Sequence, residues 1–236
     1  RRVADAMIAV ACAQGVEVVT GVEARAVVVE RGRATGVATD RGLFPADVVV
    51  GAGDYRHIEQ ELLPPEARVY TPGWWERRVL SPSSLLFFLG VERRLDGLLH
   101  HNLFFDEGLD DHADAIYRHP RWPDRPLFYA CCPSRTDPSV APDGAENLFL
   151  LVPLAPGLED TDAARERIFE IVMERLERRC GVRVRDAVTV RRSYAHREFV
   201  EDYHAFKGNA YGLANTLGQT AVLKPRLRSR KVGNLY

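Results

Sequence analysis

The sequence predicts a mixed fold, α/β in its opening and closing parts and α+β between them, and three observations carry this reading. A helical segment opens the chain and leads into short apolar runs separated by glycine-centred turns. Four Phe-rich apolar runs follow between residues 84 and 154, each closed by Gly, Pro, Asp or Asn. A long amphipathic stretch after residue 160 then offers a helix to back them. With 236 residues the chain has length for one or two domains and a substantial core.

Val3, Met7, Val10 and Ala11 recur at helical spacing and Gly15 stands where a left-handed cap would stop the helix, so residues 1–14 are expected to be helical. Strands are expected at 16–20, 22–30, 34–39 and 46–50, with turns at Arg31-Gly32-Arg33 and Asp40-Arg41-Gly42. The run Asp47-Val48-Val49-Val50 is continuously apolar after its first residue and ends in Gly51-Ala52-Gly53, the pattern of a strand buried on both faces of an α/β sheet. Residues 55–72 read as helical and proline-punctuated, and a domain crossing is expected after them.

The runs 85–89, 103–105, 127–132 and 148–154 read as strands of one mainly antiparallel sheet. They hold Phe87, Phe88, Phe104, Phe105, Phe128, Tyr129 and Phe149, and successive residues are apolar, so both faces of that sheet are oily. Thr161 or Asp160 caps a helix whose stripe is Ile168, Ile171, Val172, Met173 and Leu176 and whose end is Gly181. It covers one face. For the other, the sequence offers only a short helix near 111–117, so an extended apolar ligand or further protein is expected there, with plain core packing as the alternative. A strand at 182–190, a helix at 197–206, a glycine-rich segment at 208–215 and a final strand at 232–236 complete the reading.

Composition excludes several classes. Thirty-two basic against 33 acidic residues leave a net charge of −1, which is not the footprint of a nucleic-acid binder. No run approaches the ~20 apolar residues of a membrane-spanning helix. The four cysteines form no CxxC pair, which suits free thiols and a cytoplasmic location. The seven histidines lack HxH, HExxH or Cys/His metal spacing, and the cluster of His100-His101 with Asp106, Glu107, Asp110 and Asp111 matches no calcium loop, so no metal is expected. No G-x-S-x-G elbow is present. Gly51-Ala52-Gly53 carries Arg56 where a dinucleotide fingerprint needs its third glycine, so it reads as a return strand leaving a nucleotide-binding domain. Lys224, Arg226, Arg228, Arg230 and Lys231, with Trp74-Trp75, offer a contact for an anionic membrane surface. The chain opens inside a helical pattern without Met and stops as an apolar segment begins, and it is expected to be a piece of a longer protein.

Four ordered stretches, SPSSLLFFLGVERRL (81–95), HHNLFF (100–105), PLFYACCPSRTDPSVAPDGAENLFLLVPLAPGLED (126–160) and KGNAYGLANTLGQTAVLKPRLRSRKVGNLY (207–236), together resemble the bacterial-type phytoene desaturase family of FAD-dependent carotenoid desaturases, among the amine-oxidase-like flavoproteins. The resemblance implies a discontinuous Rossmann-like FAD-binding domain from residues 1–54 and 208–236, and a substrate domain at 55–207. It implies an FAD contact at Ala24, within GVEARAV (21–27), where relatives usually carry valine, and at Gly51, Ala52 and Gly53. Phe87, Phe88, Phe104, Tyr129, Phe149 and Tyr211 become candidates for the lining of a dry apolar tunnel, about half of them facing it by strand alternation. The implied reaction is removal of hydrogen from a long isoprenoid polyene such as phytoene, as hydride transfer from an allylic carbon to the flavin with loss of a proton, and no residue of this chain is assigned to catalysis. A carotenoid isomerase, another flavoenzyme of the superfamily, or a non-catalytic apolar-ligand module are the alternatives, and a peripheral place on the cytoplasmic membrane face follows from the oily substrate.

Overall fold

The computed structural model describes residues 2–236. They separate into two compact units, described in turn.

The first unit holds the described residues up to Ala52, with Ile58–Pro72 and Arg226–Tyr236. It opens with α1 (Arg2–Ala13), stopped at Gly15, whose φ of +85° suits a residue without a Cβ. An antiparallel meander follows, β1 (Ala24–Glu30), β2 (Arg33–Thr39) and β3 (Gly42–Pro45), in that order across the sheet. Its core is Val27, Ala34, Val49, Leu63, Ala67, Val232 and Leu235. The Asn234 side chain behaves as an extra peptide group: its Oδ1 accepts from the Ala34 N–H, and its Nδ2 donates to the Ala34 and Asp47 carbonyls. Buried Glu59 likewise accepts from the N–H groups of Val69 (2.6 Å) and Tyr70 (3.0 Å).

Two strands expected here do not form. Residues 16–20 are irregular, and of the 46–50 run only Val49 makes a parallel bridge, to Leu235, while Val48 and Val50 stay exposed. An apolar run becomes a strand only where a neighbour takes its backbone bonds; among the described residues none flanks 16–20, and the backbone of 234–236 reaches the other run only at Val49 and the following Gly51. The final segment runs parallel to 49–51 through three backbone hydrogen bonds, a short pairing centred on that bridge.

The second unit holds Gly53–His57 and Gly73–Pro225. Residues 55–72, expected as helix, are broken into α2 (Tyr55–His57), a π-helical turn at Ile58–Leu62, a 3₁₀ turn at Pro65–Ala67 and the start of α3 (Pro72–Glu76). Pro64, Pro65 and Pro72 remove the donors that a continuous helix needs. The domain boundaries move accordingly. Residues 58–72 join the first core through Leu63 and Ala67, whereas 208–225 stay with the second unit, where Gly208 accepts from Ser83 Oγ and Gln219 brackets both backbone groups of Val79.

The sheet of this unit contains β4 (Ser83–Val91), β5 (His101–Phe104), β6 (Phe128–Cys131), β7 (Glu146–Leu154) and β8 (Val188–Tyr194), ordered β5-β6-β7-β4-β8 and antiparallel throughout. The last strand starts later than the sequence indicates because residues 185–187 form a 3₁₀ turn. Between β5 and β6 lies α4 (Leu109–Tyr117), between β7 and β8 lies α5 (Asp162–Cys180), and α6 (His196–Tyr203) follows β8. Thr161 caps α5 by accepting from the Ala164 N–H at 3.2 Å, and Gly181 ends it at φ +69°. Leu85, Phe87, Leu89, Leu148, Leu150, Val152 and Phe128 pack beneath Ile168, Phe169, Val172, Met173 and Leu176 of α5 as one core.

Candidate functional site

The face of the sheet turned away from α5 carries the candidate site. Alternation places Leu86 and Phe88 of β4, Phe149, Leu151 and Pro153 of β7, Tyr129 of β6 and Leu103 of β5 on that face. Phe88 and Phe149 are direct cross-strand partners with ring centroids 5.3 Å apart, and Tyr129 meets Phe149 edge-on at 6.3 Å. These rings form a ladder across three strands.

At one end of this face α4 and the sheet together line a half-open cavity of about 390 Å³. Its helix-side wall is Leu109, His112, Ala113, Ile116 and Tyr117, its floor Leu103, Tyr129, Leu151 and Pro153, and Tyr211 flanks it. The volume falls within the roughly 300–1,000 Å³ of ligand pockets. His112 is the polar anchor of the wall. Its Nδ1 accepts from the Leu127 N–H at 2.9 Å, so the proton sits on Nε2, which donates to the Pro153 carbonyl at 2.9 Å. Burial lowers its pKa below the ordinary histidine value, keeping the ring neutral. The wall is thus free of charge at that point, which is what an apolar occupant requires.

Of the residues proposed to line a tunnel, Tyr129 and Tyr211 line this cavity, and Phe88 and Phe149 lie on the same open face. Phe87 and Phe104 require correction. Phe87 is fully buried against Phe169 of α5, its centroid 5.1 Å away, and Phe104 stacks on Phe128 at 4.1 Å against the same core. Both sit one residue out of phase with the open face. The sequence reading missed His112, Leu109 and Ile116, although the short helix at 111–117 that it recognised was the signal for them.

The four positions expected at the cofactor are all exposed. Gly51 donates its N–H to the Tyr236 carbonyl at 2.7 Å, and a Cβ there would stand 2.8 Å from Ile58, so this glycine serves close packing. Ala24 lies within the β1–β2 ladder, paired with Thr39. Among the described residues no glycine-rich turn feeds the N-terminus of a long helix to cradle a pyrophosphate, so the residues present do not by themselves fit a flavin dinucleotide, and Ala24, Gly51, Ala52 and Gly53 offer at most backbone at its rim.

The sequence is 46% identical over 81% of its length to a carotenoid 3,4-desaturase of Haloarcula japonica, covering 39% of that protein. It is 30% identical over 99% of its length to a 4,4'-diapolycopene oxygenase of a Methylomonas species, covering 47% of it. The chain therefore spans less than half the length of these relatives. A solved structure of an oxidoreductase from Methanosarcina mazei shares the fold, with a TM-score of 0.54 and 18% identity over 81% of this chain and 41% of that one. The profile described as flavin containing amine oxidoreductase matches residues 1–236, and with that match running the length of the sequence the chain belongs to the flavin containing amine oxidoreductase family.

Proposed function

We propose that this chain is part of a carotenoid desaturase that uses FAD to oxidise a long isoprenoid polyene such as phytoene. The observation that carries the reading is the pairing of an apolar aromatic sheet face with a cavity in whose wall the histidine is pinned in its neutral form. A hydrocarbon offers no hydrogen-bond handle, so its recognition rests on apolar area, at about 2.5 kcal/mol per 100 Å² removed from water. The relationship to the carotenoid 3,4-desaturase supports the substrate class, and the family supports the flavin, which would supply the oxidising chemistry. The residues of this chain orient the polyene and keep water from it.

Contact with a membrane belongs to the same proposal, because the substrate resides in lipid. Leu217 and Val222 are 94% and 95% exposed in the segment that leads to Lys224, a combination suited to the anionic cytoplasmic face of a bilayer. Among the described residues no helix is long and apolar enough to cross a membrane.

Expression of the full-length protein in bacteria that accumulate phytoene tests the reading. More unsaturated, coloured products are expected in the extracted pigments, and an unchanged pigment profile overturns it. The relative named as an oxygenase favours a second reading, oxygenation of the same hydrocarbon class, and oxygen-bearing products would select it.

A further inference from the structure

The register of β5 and β6 makes His101 the direct partner of Cys131, and the Cys132 N–H extends the pairing to the His100 carbonyl at 2.8 Å. Residues that carry no metal spacing in the sequence thereby meet across two strands. One ring nitrogen of each histidine and the Cys131 sulfur all lie within 4.8 Å of one another. We propose that His100, His101 and Cys131 bind a borderline-soft divalent cation of the zinc class.

The surrounding hydrogen bonds prepare both histidines. The Thr136 hydroxyl gives its proton to the Pro133 carbonyl, so its oxygen accepts from Nδ1 of His100 at 2.6 Å. The Tyr129 hydroxyl is hydrogen-bonded to Nδ1 of His101 at 2.6 Å. With Nδ1 of each ring engaged in a hydrogen bond, Nε2 is the nitrogen left to a metal, the outer-shell arrangement that orients metal-binding histidines. Zinc bonds of roughly 2.0–2.3 Å set tetrahedral donor separations near 3.5 Å. Binding therefore draws these donors together by about an ångström, a motion open to the exposed His101 ring. A water takes the fourth position, and the thiol releases its proton on binding.

The choice of metal follows from the donors. Two imidazoles and a thiolate favour zinc-class ions over calcium or magnesium. The nearby carboxylates that would favour the latter are engaged elsewhere, Asp106 with Arg175 and Glu107 with Arg125. Neighbouring Cys132 is buried in the core on the opposite face, so Cys131 alone of the adjacent pair serves.

Titrating the metal-free full-length protein with cobalt(II), then displacing it with zinc(II), tests the site. One equivalent of cobalt with a thiolate-to-metal charge-transfer band is expected. Cys131→Ser should abolish the band, and His101→Ala should weaken binding about 100-fold. Tyr129→Phe, which keeps every donor but frees the His101 ring, should weaken binding about tenfold, whereas Cys12→Ser should leave it unchanged. No thiolate band in the parent chain, a band that survives Cys131→Ser, or one lost in Cys12→Ser overturns the proposal. If Cys131→Ser does not fold, His101→Ala at its exposed position decides: unchanged affinity there also overturns the proposal.

Discussion

Phe87 and Phe88 are consecutive, yet Phe87 is 0% exposed against Phe169 of α5 while Phe88 is 44% exposed on the opposite face of the sheet. One peptide unit separates a core residue from a candidate ligand contact. Phe87→Ala is expected to cost about 3–5 kcal/mol of unfolding free energy, the usual penalty for emptying a packed aromatic site. Phe88→Ala should cost under about 1 kcal/mol while weakening retention of an apolar ligand. Urea unfolding and ligand binding, measured on both variants, should move in opposite orders, and equal destabilisation would show that the faces are misassigned.

Ala113 faces the cavity beneath α4. Ala113→Trp should fill much of the roughly 390 Å³ with little change in melting temperature, and it should reduce binding of an apolar fluorescent probe tenfold or more. Binding at the parental level would remove the cavity from the candidate site.

His112 gives a pH prediction with a defined sign. Its folded pKa is lowered by burial, so the unfolded chain takes the proton first. Its contribution to stability is complete above the unfolded value of about 6.5 and is lost as pH falls through and below it. His196, buried and donating to the Ala155 carbonyl, acts in the same sense. Chemical denaturation between about pH 7 and pH 5 should show declining stability, and His112→Gln should make that decline shallower. A variant whose stability falls as steeply as the parent's would contradict the assignment.

Arg165 is buried at the start of α5 and grips two carboxylates at once, Asp160 at 2.7 and 2.5 Å and Glu198 at 3.0 and 2.7 Å. Burial alone would raise both carboxyl pKa values, but the hydrogen bonds from Arg165 outweigh it and hold them below the ordinary range. Arg165→Ala leaves Glu198 without its cation and Asp160 with only the 3.8 Å contact to the Arg197 guanidinium, and should destabilise by about 3–5 kcal/mol. Adding Asp160→Asn and Glu198→Gln to that variant should recover part of the loss, a result that melting curves can read directly. No recovery would mean that the guanidinium acts chiefly through packing.

The sequence made some of this architecture plain and hid the rest for physical reasons. Helix α5 was marked at both ends by Thr161 and Gly181, and the Phe-rich strands were marked by the turn residues around them. Which aromatics faced α5 was not readable, because consecutive apolar residues satisfy either phase and the choice is made by packing. Residues 16–20 look like a strand because apolarity is visible and the absence of a flanking partner is not, whereas 46–50 find a short parallel partner at 234–236 that their own pattern does not reveal. The His100, His101 and Cys131 cluster is created by cross-strand register, which no linear spacing encodes.

Asn234 bonds to Ala34 across 200 positions of sequence. During synthesis the meander must therefore wait, its Ala34 edge unsealed, until the ribosome has delivered almost all of this chain. The larger unit waits nearly as long, because β8 must arrive to pair with β4 and Gln219 to hold Val79 across 140 positions, so neither unit is sealed before its distant partners emerge.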